Sequence, residues 1–145
     1  MALATDIDLP AIAAAAASCD AVAASWLFGS LARGEGRPSS DLDLAVLIHA
    51  DAGPRVSTQL TELSLALERH SPSGRVDVVI LGRQGPVFRH RVIKEGVLVL
   101  DRDPALRRAF EARTIIDYLD WKPTHDIAMA STMAGLRRRF AGAAR

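Results

Sequence analysis

Two aspartates one residue apart, Asp41 and Asp43, open the run Asp41-Leu42-Asp43-Leu44-Ala45-Val46-Leu47-Ile48. Turn residues precede the run and aliphatics end it, the pattern of a buried strand. Residues two apart on a strand share a face, so the carboxylates point the same way, about 7 Å apart. At an effective dielectric near 20 they repel by roughly 2 to 3 kcal/mol. A hard divalent cation reverses that sign. Mg²⁺ suits the pair because it uses one or two carboxylates and keeps positions for waters and substrate phosphates.

Upstream lies a glycine-serine pair, Gly29-Ser30, separated from Asp41 by ten residues. The apolar stretch Ser25-Trp26-Leu27-Phe28 reads as a short strand leading into it. Gly29 permits close backbone approach. The spacing predicts that Ser30 caps a short helix over Leu31 to Arg33, turning its hydroxyl and the free amides of the helix start toward a phosphate. Arg33 adds a candidate charge-assisted contact. Ser40 is a further nucleotide-binding candidate, and its plainer reading is a turn residue before the strand. A third acid, Asp77, sits inside the apolar run Arg75-Val76-Asp77-Val78-Val79-Ile80-Leu81. An aspartate between valines is costly to bury unpaired, and a metal shared with Asp41 and Asp43 on a neighbouring strand would be its partner. The structural alternatives are a solvated acidic edge strand, an ordinary turn, and an Asp77 that answers Arg75.

The stretch from Leu27 to Val46, with the later Val76-Asp77-Val78, resembles the polymerase-β-type nucleotidyltransferase superfamily. Within it, the chain is similar to the minimal nucleotidyltransferase (MNT) antitoxins paired with HEPN ribonuclease toxins. Gly29-Ser30 with Asp41 and Asp43 matches that family's glycine-serine, ten-residue, Asp-x-Asp pattern without a gap. The spacing of Asp77 and the tail segment Ile115 to Asp120 extend the likeness over most of the chain. Leu31 departs from it, since many relatives carry an aromatic residue there.

The resemblance implies an α/β (α+β) fold with a small mixed sheet flanked by helices. It also implies an enzyme that transfers AMP from ATP to a toxin tyrosine, releasing pyrophosphate and silencing the ribonuclease. In that reading Asp41 and Asp43 hold two Mg²⁺ ions. Asp77 binds the metal on the acceptor side and helps the attacking hydroxyl lose its proton. Gly29, Ser30 and Arg33 hold the β and γ phosphates. Two other readings stand beside it: an antitoxin that acts by binding alone, and a stand-alone transferase for a small molecule or an RNA end.

Composition sets the wider bounds. At 145 residues the chain is expected to be a single domain, 1–145. With 18 basic and 17 acidic residues, a net charge of +1 gives no general nucleic-acid footprint. One cysteine, Cys19, excludes an internal disulfide. Ala11 to Ala17 follows the acidic Asp6 and Asp8, and Asp20 interrupts it, so neither an export signal nor a membrane span is expected. The expected location is the cytoplasm.

The elements that must position the acids follow from periodicity. A helix is expected to start near Pro10, and another over Arg55 to His70 connects the Asp41 strand to the Asp77 strand. A helix over Val87 to Glu95, a strand at Val97 to Leu100, and helices over Ala105 to Leu119 and Asp126 to Phe140 complete the chain. The last two form a helical segment at about 104–140. His49, His70, His90 and His125 show no zinc spacing. The basic residues Arg89, His90, Arg91 and Lys94, Arg107, Arg108 and Arg113, and the run Arg137 to Arg139 read mainly as solvated helix faces. Tyr118, Trp121 and Lys122 form an amphipathic patch.

Overall fold

The computed structural model describes residues 7–143. Asp6 and the side chains of His125, Asp126 and Arg138 to Phe140 lie outside the described residues. In chain order the elements are α1 (Leu9–Ala17), β1 (Val22–Phe28), α2 (Gly29–Ala32), β2 (Leu42–Ile48), α3 (Val56–Leu67), β3 (Val76–Ile80), α4 (Pro86–Glu95), β4 (Val97–Asp101) and α5 (Pro104–Ala143). The strands form one mixed sheet in the order β3-β2-β1-β4. β1 pairs antiparallel with β2 and β4, and β2 pairs parallel with β3.

Two apolar layers cover this sheet. Leu42, Leu44 and Val46 of β2 face α1 and α3, packing with Ile12, Leu63 and Leu67. Ala45 and Leu47, one residue out of phase, face the other way and pack with Trp26, Leu81 and Val92 under Phe88, Leu106 and Phe110. β3 alternates likewise, with Val76, Val78 and Ile80 in the first layer and Val79 in the second. This period-two division is the consequence of strand geometry. It places Asp43 and Asp77 on the face of Ala45 and Val79, toward α4 and α5.

Asp8 caps α1 by accepting a hydrogen bond from the Ala11 amide at 3.0 Å, and Pro10 lies in the first turn. β1 begins at Val22, three residues before the expected Ser25. Alanine has a low strand propensity, yet Ala23 and Ala24 are fully buried in β1 and pack in the second layer, so burial overrides propensity there. The expected helix over Arg55 to His70 is regular to Leu67 and tightens into a 3₁₀ turn over Glu68–His70.

Two expectations are corrected. Ser30 does not cap the short helix: α2 starts at Gly29, its N-cap position is Phe28, and no side chain caps it. Gly29 takes φ +76, and the helical turn starts there, two residues earlier than expected, which leaves Ser30 inside it. The tail is one helix, with Pro123 inside it and not between two helices. Proline removes a single main-chain hydrogen bond, and the helical turns before and after it continue in register.

Candidate active site

The sheet register brings two of the three acids side by side. Phe28 pairs with Asp43 across β1 and β2, and Asp43 pairs with Asp77 across β2 and β3. Directly opposed residues of parallel neighbours point to the same face. Asp43 is half-buried, and its carboxyl is pushed up to about 6 by burial first, then by the charges of Asp77 and Asp41, with Arg33 opposing. This is a site with excess negative charge.

Asp41 stands just before β2 and half-exposed. Its Oδ1 accepts hydrogen bonds from the Ser73 hydroxyl at 2.8 Å and from Arg75 Nε at 2.9 Å. The Ser73 bond, helped by Arg75, holds its carboxyl below the usual range. Arg75 therefore answers Asp41, and not Asp77 as the structural alternative supposed. Parallel pairing explains this: with Leu42 opposite Val76, the residues one position earlier, Asp41 and Arg75, fall beside each other.

The glycine-serine turn closes the site from the β1 end. A Cβ on Gly29 would overlap the Asp43 carboxylate, so only glycine lets the turn lie against it, and its positive φ adds a second demand for glycine. The Ser30 hydroxyl makes no hydrogen bond among the described residues and stays available to a ligand. Arg33 ends α2 and pairs with Glu35 at 3.2 Å, with 45% of its side chain exposed. Ser40 is a turn residue: its hydroxyl accepts from the Arg37 amide at 2.8 Å, and its carbonyl accepts from the Ser73 amide at 3.1 Å.

A cation fits this donor set by its chemistry. The acids offer oxygen only, and their mutual repulsion is what a hard cation relieves. Among the described residues, no three His, Cys, Asp or Glu side chains are gathered so that they could hold a metal ion together, and the expected trio Asp41, Asp43 and Asp77 is no exception. A Mg²⁺ site does not require such a trio, since waters and phosphate oxygens complete its shell.

Several neighbours escaped the sequence reading. Ser73 and Arg75 hold Asp41, a contact that only the parallel register reveals. Phe28 packs edge-to-face on Phe88 with ring centroids 5.4 Å apart, bringing α4 to the site. The basic residues of α4 are not simply a solvated face: Arg89 is largely covered and pairs with Asp117 at 3.3 Å, and His90 stacks on Tyr118 at 3.8 Å. Lys122 is exposed, and Tyr118 and Trp121 are half-buried.

A mixed sheet that presents adjacent acids beside a glycine-serine turn is the arrangement of a nucleotidyltransferase fold. The family described as Polymerase beta, Nucleotidyltransferase matches residues 11–105, and the chain belongs to it. No curated protein matches the chain. Among solved structures, one described as a toxin-antitoxin with AMP-PNP is similar at a TM-score of 0.68 and 21% identity, covering 88% of this chain and 99% of that one. A mutant MntA toxin-antitoxin, with two aspartate-to-glutamate changes, also gives 0.68 at 20% identity, covering 88% and 99%. A complex of tri-AMPylated Shewanella oneidensis HEPN toxin with MNT antitoxin gives 0.56 at 21% identity, covering 79% and 85%. Among the described residues, no helix is long and apolar enough to cross a membrane.

Proposed function

We propose that this nucleotidyltransferase is the antitoxin of a HEPN ribonuclease toxin and transfers AMP from ATP to a tyrosine hydroxyl of that toxin, in the cytoplasm, as a single domain. The observation that carries the reading is the pairing of Asp43 with Asp77 beside Gly29, in a family whose chemistry is nucleotidyl transfer. The similar structures described as antitoxin complexes with AMP-PNP and with AMPylated toxin support the choice of donor and acceptor.

Asp41, Asp43 and Asp77 would hold two Mg²⁺ ions. When bound, Mg²⁺ neutralises phosphate charge and polarises the phosphorus under attack. The Ser30 hydroxyl and Arg33 hold the β and γ phosphates, with Ser40 shaping the turn that delivers Asp41. Asp77, exposed at the sheet edge, faces the incoming tyrosine and accepts its proton. The tyrosine oxygen forms a bond to the α-phosphorus and the α–β bridging bond breaks, so pyrophosphate leaves with its electron pair. The proton on Asp77 then passes to solvent.

The test is the mass of the toxin encoded beside this gene after incubation with ATP and Mg²⁺. A gain of AMP-sized mass with the native chain, lost with Asp41→Ala/Asp43→Ala, is the expected result. A tight complex with no gain would replace transfer by neutralisation through binding. No complex and no gain would point to a small-molecule or RNA-end acceptor.

A further inference from the structure

α5 carries a stripe that its own body leaves uncovered. From Ile115, alternate steps of four and three residues pass through Leu119, Lys122, Asp126, Met129, Met133 and Leu136, with Ala112 three residues before. That alternation is the spacing at which one side of a helix meets a second helix in a coiled coil. Every step lies on the same continuous helix, and Pro123 falls beside the stripe, not in it. The inward residues Leu106, Phe110 and Thr114 occupy the other side of the helix. Ile115, Leu119, Met129, Met133 and Leu136 are each 42% to 57% exposed, so the described residues leave the stripe open.

The stripe has a centre. On either side of position 124 stands one charged residue, Lys122 before it and Asp126 after it, and apolar residues follow outward at matching distances. A second, antiparallel copy of α5 about a two-fold axis at 124 sets Leu119 opposite Met129, Ile115 opposite Met133 and Ala112 opposite Leu136, each contact made twice. Lys122 of each copy then meets Asp126 of the other. A two-fold contact joins opposite charges only when the sequence changes their sign across the axis, and this sequence does. Parallel pairing would set lysine on lysine and aspartate on aspartate, which is repulsive.

We infer that α5 is the interface of an antiparallel homodimer, joined from Ala112 to Leu136 with Lys122 and Asp126 fixing the register. Polar steps inside an apolar seam select register and partner number at a cost in affinity. Association is therefore weak, and the copies separate below roughly micromolar concentration. The sheets pack on the inward sides of their own helices, away from the seam, so the two bodies lie on opposite outer sides of the pair and do not collide.

Sedimentation equilibrium of the full chain, from the micromolar to the hundred-micromolar range, tests the assignment. The native chain is expected to rise from the mass of one chain to that of two. Lys122→Glu and Asp126→Lys, each alone, should stay single, since each sets like charges across the axis. An equal mixture of the two should pair again, because glutamate of one chain meets lysine of the other, and the double variant should pair with itself. Rescue by mixing cannot come from repair of a damaged fold. Leu119→Cys mixed with Met129→Cys should link on oxidation, and neither should link alone, while buried Cys19 stays out of reach. A native chain that remains single, a lone charge variant that pairs as the native chain does, a mixture that remains single, or Leu119→Cys linked to itself overturns the inference. A stripe that stays open in the free chain and is covered only by a toxin helix overturns it too. Failure here leaves the nucleotidyl-transfer reading untouched, because no residue of the stripe belongs to that site.

Discussion

Asp43 holds its proton up to about pH 6 because burial and the charges of Asp77 and Asp41 disfavour its carboxylate. Its folded pKa lies above the ordinary value of 3.8, so between about pH 4 and 6 the folded chain binds more protons than the unfolded one. Stability without metal therefore falls as pH rises through that window. The group is half-exposed, and after allowance for solvent screening the loss is about 1 to 2 kcal/mol. Asp43→Asn removes the titration, so urea melts in chelator should show it gaining on the native chain from pH 4 to pH 7 while transfer is lost. Parallel melts at all pH values would refute the electrostatic account. Gly29→Ala acts on the same carboxylate by sterics. Its left-handed φ and the overlap with Asp43 should cost about 2 kcal/mol or more in melts and reduce binding of an ATP analogue. The resemblance to the family's glycine-serine, ten-residue, Asp-x-Asp pattern singled out Gly29, Ser30, Asp41 and Asp43, and the fold brings Gly29 against the Asp43 carboxylate. The bonds that set their protonation were not legible, since Ser73 is 32 residues from Asp41 in the chain.

Elements turn those residues into a site through register. The aliphatic runs of β2 and β3 announced two strands, but only parallel pairing with Asp43 opposite Asp77 makes their acids neighbours, and no local pattern encodes a pairing partner. The same pairing puts Arg75 beside Asp41. α4 was legible as a helix, whereas the division of its faces was not. Arg89 and His90 meet α5, while Phe88 and Arg91 line the side of the glycine-serine turn, a split fixed by where the helix lands on the sheet. Gly96, directly after α4, sets that landing. A Cβ there would press on the Leu27 carbonyl at 3.2 Å and Trp26 Cβ at 3.4 Å, besides the Val92 carbonyl. Gly96→Ala should thus lower stability by about 1 to 3 kcal/mol by urea melt. Unchanged melting would show that the α4 to β1 seam can yield.

At the scale of the whole molecule, α5 does two different things along its 40 residues, a length of about 60 Å. Its first part belongs to the sheet: Leu106 and Phe110 pack in the second layer, Thr114 is fully buried, and Asp117 pairs with Arg89 and with Arg113. Arg107 anchors the same part to Asp101 at 2.9 Å and Glu111 at 3.1 Å. Beyond Pro123 the described side chains face outward, with Ile127 68%, Met129 50% and Met133 47% exposed. The sequence hid this contrast because both parts carry apolar residues at helical spacing. Such spacing reports an apolar stripe, not whether anything in the same chain covers it. Contacts, and not helicity, carry stability, so the two parts should respond oppositely to removal. A chain ending at Lys122 is expected to unfold in urea within about 1 kcal/mol of the full chain, because few buried contacts leave with the deleted turns. Phe110→Ala, a single substitution in the first part, should cost about 2 to 4 kcal/mol. If the shortened chain instead lost as much as Phe110→Ala, the outer turns would have to be folded back on the body, and the outward exposure of Ile127, Met129 and Met133 would be wrong.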